Sequence, residues 1–147
     1  MKIAIASDHG GYAYKEQLLP FLKELGHEAE DLGCFGPESV DYPDYGIACA
    51  KAVAAGTAER GVVICGTGIG ISIAANKVPG IRCALCTDPL MARLCREHND
   101  ANMLALGGRI IGTELAKEIL RAFLSTGFAG GRHQGRIDKI SRYEAER

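Results

Sequence analysis

Five short strand-like runs, each followed by a longer amphipathic run, constrain this chain more than any other feature. KIAIAS (2–7), HEAEDL (27–32), GVVIC (61–65), IRCALC (81–86) and MLALGG (103–108) read as strands. Residues 12–25, 45–55, 70–77, 89–98 and 113–125 carry the spacing of one-faced helices, and a last helix is expected from Ile137. Strands joined by helical crossovers lie parallel, and the helices must cover both faces of the sheet. The expected architecture is a single-domain three-layer α/β/α sandwich over residues 1–147, built on a five-stranded parallel, Rossmann-like sheet. Punctuation agrees: Gly26 and Gly127 stand where helix C-caps belong, Asp88 precedes Pro89 as an N-cap before a first-turn proline, and Thr113 is a further expected N-cap. Strand order is not readable from this pattern.

Composition narrows the partners. Lys and Arg number 17 against 18 Asp and Glu, so a net charge of -1 offers no broad attraction to nucleic acid or to an anionic membrane. An anion must be caught locally. No apolar run approaches a membrane span, and MKIAIASDHGG reaches Asp8 too soon for a secretory core. Six cysteines in such a chain are expected to be reduced thiols of a cytoplasmic protein. Cys83 and Cys86 form a CxxC only on paper, because residues three apart on a strand face opposite ways. Cys34, Cys49, Cys83, Cys86 and Cys95 are therefore expected as small buried apolar residues.

In a parallel α/β sheet, ligands bind beyond the carboxyl ends of the strands. The residues there are Asp8 and His9, Cys65 to Gly70, Thr87 and Asp88, and Gly107 to Arg109. VVICGTGIGISIAANK is the most telling: a strand runs into Cys65, then into three glycines within five residues, then into a helix. Glycines let the backbone turn and bring N–H groups to a ligand, and the helix start adds a positive dipole end. A thiol placed there should ionise more easily than one in solution. The loop lacks the Lys-Ser/Thr ending of a nucleotide phosphate loop, and Ile71 stands where a cysteine phosphatase would need arginine. The bland alternative is a buried cysteine that closes a strand.

Other candidates carry their own bland alternatives. Asp8 could simply cap a helix while His9 faces solvent. His98 closes a helix and could serve only to offset its dipole, with Asn99 beside it able to orient a hydroxyl. GGRHQGR sets Arg132, His133 and Arg136 close together, and two guanidinium forks on one loop can clamp a phosphoryl group. Arg132 and Arg136 would share a face if the final helix began early.

Taken in order, SDHGG, DYPDY, CGTGIGISIAANK, REHND and GGRHQGR resemble the ribose-5-phosphate isomerase B family, which also holds allose-6-phosphate isomerases and galactose-6-phosphate isomerase subunits. The resemblance spans almost the whole chain. It implies an aldose–ketose isomerase working on a phosphorylated sugar through a cis-enediolate, without cofactor or metal. Cys65 would move the proton between C1 and C2, Thr67 would position sugar oxygens, and His98 would open the furanose ring. Main-chain amides of Gly66, Thr67, Gly68, Ile69 and Gly70 would form the anion hole. Asp8, His9 and Asn99 would bind sugar or phosphate oxygens, and Arg109, Arg132 and Arg136 the phosphate. The resemblance further implies a homodimer in which the tail arginines cross to the partner's site, with pairing into a tetramer left open. One branch of the family places glutamate where this chain has Ile71 and lacks the cysteine, so this chain resembles the cysteine branch. The competing readings are a six-carbon substrate, a galactose-6-phosphate isomerase subunit, and a non-catalytic flavodoxin-like module binding a phosphoester. Roles for Tyr42 and His133 stay open at this stage.

Overall fold

The computed structural model describes residues 1–147. In chain order the elements are β1 (Lys2–Ser7), α1 (Tyr12–Glu24), β2 (Glu28–Asp31), α2 (Tyr42–Ala54), β3 (Arg60–Cys65), α3 (Ile69–Ala75), β4 (Cys83–Leu85), α4 (Pro89–Asn99), β5 (Met103–Gly107), α5 (Thr113–Ser125) and α6 (Arg132–Ala145). The five strands are all parallel, in the order β2-β1-β3-β5-β4. β5 thus slips between β3 and β4.

Alternation along the three central strands builds two cores. Ile3, Ile5, Val62, Ile64, Leu104 and Leu106 face a core closed by α1, α4 and α5, where Leu22, Ile119 and Phe123 are wholly buried. Ala4, Ala6, Val63, Cys65, Met103 and Ala105 face the other way, onto α2 and α3. Each large aliphatic or aromatic side chain so buried contributes roughly 1.5–3 kcal/mol relative to exposure. The register aligns the strand ends: Ser7 pairs with Ile64, and Cys65 with Gly107. Asp8, Cys65 and the turn after Gly107 therefore emerge at one level. They do so between β1 and β3, whose onward connections run to opposite sides of the sheet, to β2 and to β4, which is where open α/β sheets form a crevice.

Several boundaries differ from the expectation. α6 starts at Arg132, five residues before Ile137, because Gly131 makes the turn into it and both His133 and Ile137 bury against the body, so Gly135 on the exposed side does not interrupt it. α2 starts at Tyr42, since Pro43 falls in the first turn, where no N–H is needed. Thr113 is the first residue of α5, and Gly112 occupies the N-cap. Gly127 is no helix cap either: Thr126, in extended conformation, ends α5 and its hydroxyl donates to the Ala122 carbonyl at 2.7 Å. Gly26 and Asp88 do behave as expected; Gly26 has a φ of 87°, and Asp88 accepts from the Met91 N–H at 2.8 Å. Cys83 and Cys86 do take opposite faces, one against each core, although Cys83 is only half-buried.

One buried charge shapes the surroundings of the crevice. Lys15 on α1 is wholly buried and pairs with Asp31 at 2.8 Å and with Glu16 at 3.0 Å. Burial by itself would lower the amine's pKa, but the two carboxylates outweigh it and hold it above the usual lysine range. Asp31 also accepts from the Gly33 N–H at 2.9 Å, so the loop leaving β2 is tied to α1. That loop returns over the crevice at Val40.

Candidate active site

Asp8, His9, Gly10, Tyr42, Cys65, Gly66, Thr67, Gly70 and Arg109 line one cleft of about 270 Å³ at the carboxyl ends of β1, β3 and β5. Cys65, the last residue of β3, is 5% exposed, and its sulfur accepts the Gly68 N–H at 3.1 Å. That contact requires Gly68 to turn left-handed, with a φ of 79°; a Cβ there would lie 2.5 Å from Leu85 and 2.9 Å from the Leu106 backbone. Thr67 is held in turn, since its hydroxyl accepts the Ile69 N–H at 3.2 Å. The N–H groups of Gly66, Thr67 and Gly70 donate to nothing within the chain. Three unsatisfied donors beside one sulfur form a concavity suited to negative charge.

The flanking residues are fixed by the backbone. Asp8 accepts the N–H groups of Gly10 at 2.8 Å and Gly11 at 3.2 Å, so it both steadies the start of α1 and lines the cleft. The two readings of Asp8 are compatible. His9 accepts the Val40 N–H at Nδ1, at 3.1 Å, which in the neutral ring leaves the proton on Nε2 as a donor. Arg109 is placed by its own N–H, which reaches the Gly66 carbonyl at 2.8 Å, while the Gly108 N–H reaches the Cys65 carbonyl at 2.9 Å. Tyr42 rests its ring on Gly70, where a Cβ would come within 2.7 Å of it. Tyr42 and Gly10 are the lining residues that sequence reasoning did not assign; a tyrosine before a proline gives no sign that a helix start will carry it to the cleft.

His98, Asn99, Arg132 and Arg136 do not line this cleft. They gather where α4 ends and α6 begins, with the His98 and His133 rings stacked at 4.4 Å and 17° apart. Arg132 and Arg136 are exposed in the first turns of α6, one helical turn apart. Burial first, then the nearby His98, Arg132 and Arg136, hold the His133 pKa below the usual histidine value. Asn99 lines a separate hollow of about 360 Å³ with Arg82 and Tyr143. A larger hollow, about 570 Å³, lies between α1 and β2, and none of the residues singled out above lines it. Thr87 and Asp88 also stay away from the Cys65 cleft. Burial pushes the Cys49 thiol up to about 12 and the Cys83 thiol higher still, so neither ionises near neutrality. No three His, Cys, Asp or Glu side chains come together as a metal site.

A nest of free amides around a cysteine at the switch point of a parallel sheet, ringed by Asp, His, Thr and Arg, defines an α/β protein with a site for a small anionic ligand. Comparison with known proteins makes this specific. The profile of the ribose/galactose isomerase family matches residues 3–140, and the chain belongs to that family. It is 56% identical to a putative sugar phosphate isomerase of Bacillus subtilis, over 98% of this chain and 97% of that one. It is 48% identical to ribose-5-phosphate isomerase B of Escherichia coli, over 99% and 98% of the two chains. The solved ribose-5-phosphate isomerase B of Clostridium thermocellum superimposes with a TM-score of 0.98 at 57% identity, covering 99% of each chain. The protein is a sugar phosphate isomerase. No helix is long and apolar enough to cross a membrane.

Proposed function

We propose that the protein interconverts D-ribose 5-phosphate and D-ribulose 5-phosphate through a cis-enediolate, with Cys65 as the base. The observation that carries this reading is the Cys65 sulfur beside three free amides. Aldose-to-ketose conversion removes the C2 proton, leaves an enediolate, and returns a proton to C1. Such a carbon acid is weak, so the oxyanion must be stabilised as it forms. Preorganised N–H donors contribute roughly 3–4 kcal/mol each by analogy with acyl-transfer oxyanion holes. Gly66, Thr67 and Gly70 supply them, while the Gly68 N–H steadies negative charge on the sulfur. Thr67 and Asp8 orient the sugar oxygens, and His9, through Nε2–H, and Arg109 take phosphate or sugar oxygens.

His98, in this reading, opens the ring by protonating the ring oxygen and accepting the anomeric hydroxyl proton. It reaches the cleft from a second copy of the chain, together with Asn99, Arg132 and Arg136. Support comes from the placement of these four polar groups, which cluster at one corner yet lie outside their own chain's cleft. Ile69 and Ile110, next to cleft residues in sequence, and Ile73, about one helical turn beyond Gly70, are 52%, 58% and 55% exposed and suit a covering partner. The phosphate stays out of the chemistry, but its binding energy holds C1 and C2 at the base. The enzyme would work in a reducing cytoplasm, where its six thiols stay free.

A coupled assay on ribose 5-phosphate and on allose and galactose 6-phosphates, with parent and Cys65→Ala proteins, tests the reading. The parent should turn over the pentose fastest, and the variant should lose about 10²- to 10⁴-fold, the range for losing a positioned proton-transfer group. A Cys65→Ala protein at the parent rate would require another base.

A further inference from the structure

The last turn of α4, which carries His98 and Asn99, ends in a way its sequence does not require. Asp100 takes φ 45° and ψ 45°, and it is the chain's only non-glycine residue with positive φ. Helices commonly stop in this left-handed conformation on a glycine, which enters it without the steric cost an L side chain carries. An aspartate held there is backbone strain next to a proposed functional residue, and such strain persists when the surroundings over-determine it.

The surroundings do so here. Asp100 Oδ1 accepts Arg96 Nη1 at 2.8 Å, and Oδ2 lies 3.7 Å from Arg82 Nη2. Arg96 is nearly buried and also donates to the carbonyls of Ala101 at 2.7 Å and Thr126 at 3.1 Å. Arg82 donates to the carbonyls of Asn99 at 2.8 Å and Asp100 at 2.9 Å. On the other side, the Glu97 carbonyl accepts the Ala129 N–H at 3.0 Å. Both neighbours of His98 in sequence are thus pinned through their carbonyls. The carboxylate of Asp100 is the one group that both arginines address.

We infer that Asp100 is a positioning residue for the isomerisation: clamped between Arg96 and Arg82, it sets the angle at which α4 presents His98 to the sugar. The inference rests on the reading of His98 as the ring-opening group. Glycine would end the helix as well or better, but it would remove the carboxylate that both arginines share and, although each keeps its carbonyl partners, would loosen the last turn. A misplacement of about 1 Å at a reacting group costs on the order of a hundredfold in rate, so a partial release should cost about tenfold.

Asp100→Gly and Asp100→Asn, made in the parent and in a His98→Asn background, test this. Asp100→Gly should still fold and melt cooperatively, because relief of strain offsets part of the lost ion pair and the nearly buried Arg96 keeps two carbonyl partners. Its kcat on ribose 5-phosphate should fall about tenfold, with KM within about twofold. In the His98→Asn background, where the open-chain fraction of the sugar keeps turnover measurable, the same change should alter kcat less than about twofold, since the two residues then act as one unit. Asp100→Asn, which suits the same backbone conformation, should lower kcat in the same direction. Parent kcat in either Asp100 variant, or an equal fall in both backgrounds, overturns the proposal. Parent kcat in His98→Asn alone instead removes the ring-opening role of His98, a separate failure read from a separate protein.

Discussion

Mixing two inactive variants gives the sharpest check on a site shared between chains. Cys65→Ala disables the cleft and His98→Asn the group proposed to enter it from the partner, and each alone should lose at least about a hundredfold in turnover. Suppose the two chains are unfolded together in equal amounts and refolded. Random pairing makes about one half of the dimers mixed, and each mixed dimer holds one site with both changes and one with neither. Activity should therefore return to about a quarter of the parent's, at least about 25 times what either variant shows. The structure supplies the control. Asp8 lines the same cleft as Cys65, so a mixture of Cys65→Ala with Asp8→Asn leaves every cleft damaged and should recover nothing. A Cys65→Ala and His98→Asn mixture that stays at the level of its parts would place both groups in one chain and refute the two-chain site.

Two further outcomes follow from the packing. Gly68→Ala should destabilise the protein by roughly 1–3 kcal/mol, the cost of a left-handed backbone plus a Cβ 2.5 Å from Leu85, and should also shift the residue-68 N–H away from Cys65; thermal denaturation with a parallel assay reads both, and an unchanged melting temperature would refute the geometry. The N-terminal amine donates to His27 Nδ1 at 3.1 Å, and burial, then this amine and Arg60, hold the His27 pKa below its ordinary value. The unfolded chain then takes up the proton first, so the contribution of His27 is present above about pH 6.5 and is lost as pH falls below that toward the lowered folded value. His27→Gln should flatten the stability profile between about pH 7 and 5, and an identical slope in parent and variant would show that His27 carries none of it.

Much of the fold was legible because strand and helix periods differ and because parallel strands need helical crossovers. GVVIC and MLALGG read as strands and are buried strands, and α5 matched its expected limits. The misplaced start of α6 has a tertiary cause. The last helix was expected only from Ile137, yet the burial of His133 and Ile137 carries it back to Arg132, and burial against the body is not a local property. The chemistry-bearing residues were likewise visible as types. Glycines flanking a cysteine at a strand end, or paired arginines in a glycine-spaced run, are chemically pointed wherever they fold.

By itself, then, the sequence determined the parallel α/β architecture and the residue types at the strand ends, because periodicity and side-chain chemistry are written one residue at a time. Tertiary structure alone decided that β5 lies between β3 and β4, that Tyr42 joins Asp8, Cys65 and Arg109 around one cleft, and that His98 and the tail arginines stand apart from it. Those are distances between residues far apart in the chain, set by how two cores close on opposite faces of one sheet. No local pattern encodes them.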